Sequence, residues 1–350
     1  MPVPTKGMIH VDPVMTQAAS AWFIGEALGG NYFSAEKLFP MVNVSEISAE
    51  LFRYDRRDLF RTHDVRPRAP AVESEGSGWR MLNRGHYFCK EWALHKDIGD
   101  EEPAYATAPI NLDRDATQFV TQLLMLKREY LISAAAFAVG IWGTDVQGVN
   151  AATNYAANQV RRWQDYVTPS APQQDIDYYR NVMALSTGGY RPNKLACGVN
   201  VWDALKNHPA IVARYVFTQG GGTPNLSTRQ VADYLELDDI IVLRSVHNLG
   251  PEGGQWNGNY IFPGNDALLY YTPASPSLTQ PSAGYTYGWT GANHMGTTVT
   301  VKRFRLANDA QGDRITASIH FDQQVVESVL GVYFHDVTIG AIQQVVMDVV

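Results

Sequence analysis

The sequence predicts an α+β protein, and three observations carry that prediction. Between residues 111 and 140 apolar side chains recur at helical spacing, at Ala116, Phe119, Val120, Leu123 and Leu124. Between 314 and 321 they alternate at strand spacing, Ile315, Ala317 and Ile319 against Thr316, Ser318 and His320. Between 194 and 246 short strand and helix signals follow one another closely. At 350 residues the chain has room for about two domains of ordinary size.

Residues 1–50 read as an irregular arm. Pro4, Pro13 and Pro40 punctuate it, and its aromatic residues Trp22, Phe23, Tyr32 and Phe39 are spread out. Only Gln17 to Leu28 has weak helical potential, ended by Gly29-Gly30. Such an arm must bury its aromatics against something else. Residues 51–110 read as a long hairpin. The outgoing limb runs from Leu51 to Arg66 and the return limb from Trp79 to Lys96. The tip, Pro67 to Gly78, is rich in Pro, Gly, Ser and Glu, which is turn and loop chemistry. A lone two-stranded hairpin is marginal in water and presents open edges. It is therefore expected to lie on another domain or another subunit.

The clearest helix runs from Asp113, its candidate N-cap, to Val139, with Gly140 and Gly143 ending it. Its length is about 40 Å at 1.5 Å per residue. Lys127, Arg128 and Glu129 read as a polar patch that interrupts its apolar stripe. A polar region follows to Pro172, then a short helix from Asp175 to Leu185. Lys194 to Gly198 reads as a strand, and Asn200 as the cap of a helix through Leu205, with Asp203 completing a variant capping box. Pro209 to Phe217 is an apolar segment. Ser227 or Thr228 caps a helix to Leu235, and Ile240 to Val246 and Ala267 to Thr272 are buried strands. Thr298 to Leu306 and Arg314 to Phe321 form an antiparallel hairpin with one dry face, and two apolar segments, strand or short helix, follow to Val350.

Composition narrows the function. The net charge of −7 argues against a protein whose main task is gripping nucleic acid. Two scattered cysteines, Cys89 and Cys197, are too few for a disulfide framework or a zinc site and read as free thiols. No apolar run has signal-peptide or membrane-spanning length, so the expectation is a soluble chain. Charged residues make up 18%, against roughly 25% in soluble domains, which points to less water-facing surface than usual.

No constellation selects a catalytic site. There is no HExxH, no GxSxG and no P-loop, and Gly220-Gly221-Gly222-Thr223 lacks the Lys a phosphate cradle needs. His86 and Cys89 would face opposite sides of a strand. The expectation is no catalytic residue, no metal and no cofactor. The arginines Arg53, Arg56, Arg57, Arg61, Arg66 and Arg68 are interleaved with Asp55, Asp58 and Asp64. A mixed run of this kind fits a solvated face or an intersubunit salt-bridge seam better than a nucleic-acid strip.

Several stretches, in order, resemble the major capsid proteins of tailed bacteriophages, the HK97-like fold. They are Pro192 to Gly198, Val201 to Pro209 with Ile211 to Arg214, Gln230 to Leu235 with Ile240 to Leu243, Asp266 to Thr272, Ser282 to Trp289 and Gly331 to Asp336. The resemblance covers about residues 45–340. It implies an N-arm at 1–50, an extended β-hairpin (E-loop) at 51–111 and an α/β axial domain at 171–295. It also implies a peripheral domain at 112–170 and 296–350 with a long spine helix and antiparallel strands, its tail free to return to the axial domain.

By the same resemblance the chain would be a non-enzymatic structural protein. It would assemble as hexamers and pentamers into an icosahedral shell enclosing double-stranded DNA, within a virion and, during assembly, in the host cytoplasm. Its partners would be itself, a separate scaffolding protein and a portal protein, with a decoration protein as a further candidate. Packaged DNA would be touched weakly on the inner face, and no membrane is involved. Intersubunit contacts are expected from Trp22, Phe23, Tyr32 and Phe39 of the arm and from Arg53, Arg56, Arg57, Arg61, Arg66, Arg68, Glu73, Glu75, Trp79 and Arg80 of the hairpin. Lys90 and Lys96 lie on the hairpin, but no partner Asn or promoting Glu is matched, so covalent crosslinking is not expected. The alternatives are an encapsulin-type compartment and, from a different class, a β-rich carbohydrate-binding protein or hydrolase using Trp256, Tyr260, Tyr285 and Trp289.

Overall fold

The computed structural model describes residues 10–11, 32–68, 70–102, 111–150, 155–166, 170–216, 226–277, 280–291, 299–306, 311–340 and 344–347. The helical expectation at Gln17 to Leu28 lies outside them.

Two six-stranded sheets carry the fold. The first is ordered His10–Val11, Thr300–Arg305, Gly312–Val325, Gly284–Trp289, Met41–Val44, with Lys90–Gly99 also paired to Gly312–Val325. That 14-residue strand is the hub, antiparallel to three others. The second is ordered Gln159–Arg161, Thr144–Val149, Gly331–His335, Ala267–Tyr270, Lys194–Gly198, Asp239–Leu243. Its residues alternate between two cores. Leu195, Cys197, Ala267, Leu269, Val332 and Phe334 face the helices Pro172–Thr187, Val199–Lys206, Pro209–Val216 and Thr228–Tyr234. Ala196, Leu268, Tyr270 and Tyr333 face the opposite way, onto Leu38, Phe39, Ile132 and Ala136. A sheet dry on both faces explains why these strands read as continuous apolar runs.

The helix Leu112–Ala136 spans the two sheets. Ala116, Val120, Leu124 and Met125 pack on Ile315, Ala317, Ile319 and Phe321 of the first, while Ile132 and Ala136 reach the second. Its N-cap is Asn111, whose side chain accepts from the Arg114 N–H, and not Asp113. The helix stops before Phe137, ahead of Gly140. Its buried face is also rotated from the expected stripe. Phe119 is 52% exposed and Leu123 is exposed, whereas Arg128 and Glu129 are buried at 2% and 1%.

The cap of Val199–Lys206 is Gly198, with no side-chain bond; the Asn200 amide instead donates to Asn265. A Cβ at Gly198 would collide with the backbone of Gly264, so this turn accepts only glycine. Ser227, one of the two expected caps, holds the start of Thr228–Tyr234 and forms a full capping box with Gln230. The strand pair at the C-terminal side is present, but Ser318 and His320 are buried too, so the hub strand is dry on both faces along its middle. Sheet membership cuts across the boundaries drawn at 170 and 295. Thr144–Val149 and Gln159–Arg161 join the strands of 171–295, and Gly284–Trp289 joins the first sheet; Gly331–His335 also joins the strands of 171–295, the return left open for the tail. These pairings are non-local, and local periodicity carries no signal for them.

Candidate intersubunit surface

Strands Ser48–Tyr54 and Met81–Phe88 pair antiparallel as an isolated two-stranded sheet, with an irregularity between Glu50 and Phe52. The return limb then passes Cys89 and enters the first sheet as Lys90–Gly99, so the hairpin is rooted in the body. A short helix, Arg56–Leu59, interrupts the outgoing limb, a feature with no signal in the local sequence pattern.

The far part of the hairpin carries apolar side chains with little beneath them. Trp79 is 65% and Val65 83% exposed, and Phe52, Leu59, Val72, Met81 and Phe88 are exposed as well. Phe60 is half-covered: a Cβ on Gly188 would sit 2.5 Å from its ring, so the ring lies over the C-terminal end of Pro172–Thr187. The glycine there has φ of 80°, a conformation that leaves room for the ring.

The charges of this region pair with one another. Arg61 reaches Asp58 at 2.7 Å and Asp64 at 3.7 Å. Arg80 donates to Asp58 at 3.1 Å and lies 3.6 Å from Asp55. Ser77 donates to Asp64 at 2.8 Å, and Arg66 meets Glu75 at 3.5 Å. The Arg80 hydrogen bond holds the Asp58 carboxyl below the usual carboxylate range, and Asp58 in turn pushes the Arg80 guanidinium up. Asp55, Asp58, Arg61, Asp64 and Arg66 of the mixed run thus belong to a network inside one chain that ties the two limbs of the tip. Arg61 and Arg80 stay exposed to solvent even where Asp55 and Asp58 do not, so these pairs shape the loop more than they stabilise it.

The expected contact residues therefore divide. Trp22 and Phe23 lie outside the described residues. Phe39 is fully buried in this chain's own second core, which corrects its assignment to a neighbour. Tyr32 is bound within the chain, its hydroxyl donating to the Val246 carbonyl at 3.1 Å. Arg53, Arg56 and Arg57 take positions on the strand and the short helix. Arg61, Arg66, Glu75 and Arg80 belong to the tip network, while Arg68, Glu73 and Trp79 are exposed on the same tip. Of the aromatics considered for a carbohydrate site, Tyr285 is buried beside the stacked Tyr87–Tyr287 pair and Cys89, Tyr260 and Trp289 are half-buried, and Trp256 is exposed.

The root of the arm is clamped by a group that the sequence pattern places on the surface. Glu129 accepts from the backbone N–H groups of Ser34 (2.7 Å) and Ala35 (2.6 Å) and from the hydroxyls of Ser34 (2.9 Å) and Ser245 (3.0 Å). It caps the helix Ala35–Leu38 from outside, supplying the acceptor that helix lacks locally. Arg128 pairs with Glu36 at 3.2 Å. Burial pushes the Glu129 carboxyl up against the pull of those donors.

Among the described residues no group of three or more His, Cys, Asp and Glu is placed to hold a metal ion, and no helix is long and apolar enough to cross a membrane. No protein-family model and no curated protein matches the sequence. Solved structures do. A phage-related protein from Bordetella bronchiseptica is similar over 95% of this chain and 99% of its own, at 20% identity and a TM-score of 0.67. The virus-like particle from Pyrococcus furiosus is similar over 92% and 99%, at 11% identity and a TM-score of 0.52. At these identities the likeness is one of fold. It places the chain in the α+β, HK97-like capsid fold expected from the sequence.

Proposed function

We propose that the chain is the building block of a closed protein shell, a major capsid protein that self-assembles as hexamers and pentamers into an icosahedral particle enclosing double-stranded DNA. The observation that carries this is the hairpin: a two-stranded arm rooted in a well-packed body, with Phe52, Val65, Val72, Trp79 and Met81 exposed on it. A monomer gains nothing from such an arm, while a neighbour can cover it. The fold shared with a virus-like particle supports the same reading. The role is structural. A separate scaffolding protein and a portal would act during assembly in the host cytoplasm, and the product would be the virion shell, whose net-negative subunits let packaged DNA slide.

The test is to express the full chain with and without a co-encoded scaffold and image the product by electron microscopy. Closed shells are the expected result. Monodisperse monomers under every assembly condition would sink the reading, and shells filled with protein cargo instead of nucleic acid would point to an encapsulin-type compartment.

A further inference from the structure

The helix Pro209–Val216 begins with a histidine as its side-chain cap. Its first backbone bond runs from the Val212 N–H to the His208 carbonyl at 2.9 Å, and Pro209 has no N–H to satisfy. The next donor, the Ala210 N–H, goes to Nδ1 of His208 at 3.2 Å. Ser, Thr, Asp or Asn is the usual source of that acceptor. On the other side of the ring, Nε2 lies 3.1 Å from the Ser170 hydroxyl. That hydroxyl donates onward to the carbonyls of Trp163 (3.2 Å) and Asp165 (3.3 Å), so it accepts from Nε2–H. The network therefore holds a neutral imidazole in one tautomer, with its proton on Nε2 and the Nδ1 lone pair on the helix. His208 is 1% exposed, and the helix it starts lays Ile211 into the core around Val201 and Leu205.

A proton on Nδ1 has no place in this arrangement. It would turn the acceptor facing the Ala210 N–H into a second donor and put positive charge at the positive end of the helix dipole. Among the described residues no ion pair offsets that charge. Tyr166 meets the imidazole edge-on, 5.7 Å between ring centres. Asp165 is paired with Arg161 at 2.8 Å, Asp175 is held by the Trp163 indole at 3.0 Å, and Asp203 and Lys206 lie towards solvent on the preceding helix. Burial accordingly pulls the imidazole below the ordinary histidine value. The folded value lies below the unfolded one, so the cap is fully effective above about pH 6.5 and is lost as pH falls through the folded value. Asp175 works the other way, holding its proton more tightly in the fold, so it does not loosen this corner in acid.

We propose that His208 is an acid-operated cap: neutral, it ties the start of Pro209–Val216 to the segment 163–170, and protonated, it releases that helix. The device belongs to the single subunit and does not rest on the shell reading. The test is amide exchange of the full-length chain at about pH 7.5 and about pH 5, corrected for the chemical rate and read by mass spectrometry over residues 208–216. Opening exposes the ring to a proton, so exchange there should be about tenfold faster in acid. His208→Asn supplies an acceptor that does not titrate and should bring that ratio to about one with the helix still protected. The same acid effect in wild type and His208→Asn, or none in wild type, overturns the proposal. So does loss of the effect in Ser170→Ala, which leaves the Nδ1 cap in place. Should the Asn variant fail to fold, the wild-type chain decides alone. Hydrogen exchange at the C2 carbon of the His208 ring, followed against pH, should show a midpoint below about 6.5, and a midpoint at or above that value overturns the proposal.

Discussion

Two carboxylates, one half-buried and one buried, show how single residues set the behaviour of this fold. Asp175 sits in the first turn of Pro172–Thr187 and accepts from the Trp163 indole N–H at 3.0 Å. Burial pushes it up to about 6. Because the folded value lies above the ordinary aspartate value of about 3.9, the folded state holds its proton more tightly than the unfolded chain. The associated stability is fully present below about pH 4 and is lost as pH rises through 6, a swing on the order of 2 kcal/mol. Asp175→Asn keeps an acceptor for Trp163 and has no charge to desolvate. It should be more stable than wild type at pH 8 by about 1–2 kcal/mol and equal to it near pH 4, read from urea midpoints at the two pH values. Equal losses at both would mean that the charged carboxylate is used. Glu129 acts the other way, through its acceptors. Glu129→Ala strands the backbone N–H groups of Ser34 and Ala35 and the Ser34 hydroxyl in a dry site, while Ser245 keeps the Tyr32 carbonyl; it should cost about 2–4 kcal/mol, with faster amide exchange at Ser34 and Ala35 as the local signature. Neither role was legible. Lys127-Arg128-Glu129 reads as a solvated break because the donors that satisfy Glu129 lie 94 to 116 residues away.

Elements were legible where their own period decides them. The strands at 194–198 and 267–270, the long helix and the cap at Ser227 follow from spacing and end chemistry alone. The neighbours of each strand do not follow. Met41–Val44 runs parallel to Gly284–Trp289 across some 240 residues of chain, and no local pattern announces it. The hairpin was legible as an orphan, since nothing in its sequence could cover its apolar residues, and the exposed Trp79 and Met81 are the structural form of that deficit. A double Trp79→Ser, Met81→Ser chain should therefore melt within about 0.5 kcal/mol of wild type, as surface substitutions do. Its particle yield by sedimentation should fall at least severalfold. By contrast Ile319→Ala, in the core under the long helix, should cost about 2–5 kcal/mol in the isolated subunit. A large loss of subunit stability from the hairpin double variant would place those side chains in the fold itself.

At the scale of the whole molecule, the low charged fraction and the orphan hairpin describe one property. The two sheets and the spanning helix form a body with continuous cores, and the hairpin that leaves it carries exposed apolar side chains, Phe52, Val65, Val72, Trp79 and Met81 among them, over little core of its own. The arginines of the tip network are exposed, so its ion pairs close the loop weakly and leave its backbone open to solvent. In a free subunit the segment from Arg61 to Arg80 should therefore be the first site of tryptic cleavage, at Arg61, Arg68 and Arg80, while the body resists. Assembly should reverse this order, because a tip lying on a neighbour can no longer unfold locally into a protease. Limited trypsin digestion of free and assembled protein, with the fragments identified by mass, measures the difference. Protection of at least tenfold on assembly is expected for the tip, with little change for cuts in the body. Equal cleavage of the tip in both forms would mean that it projects into solvent in the particle, and the apolar residues it carries would then need an occupant other than a second copy.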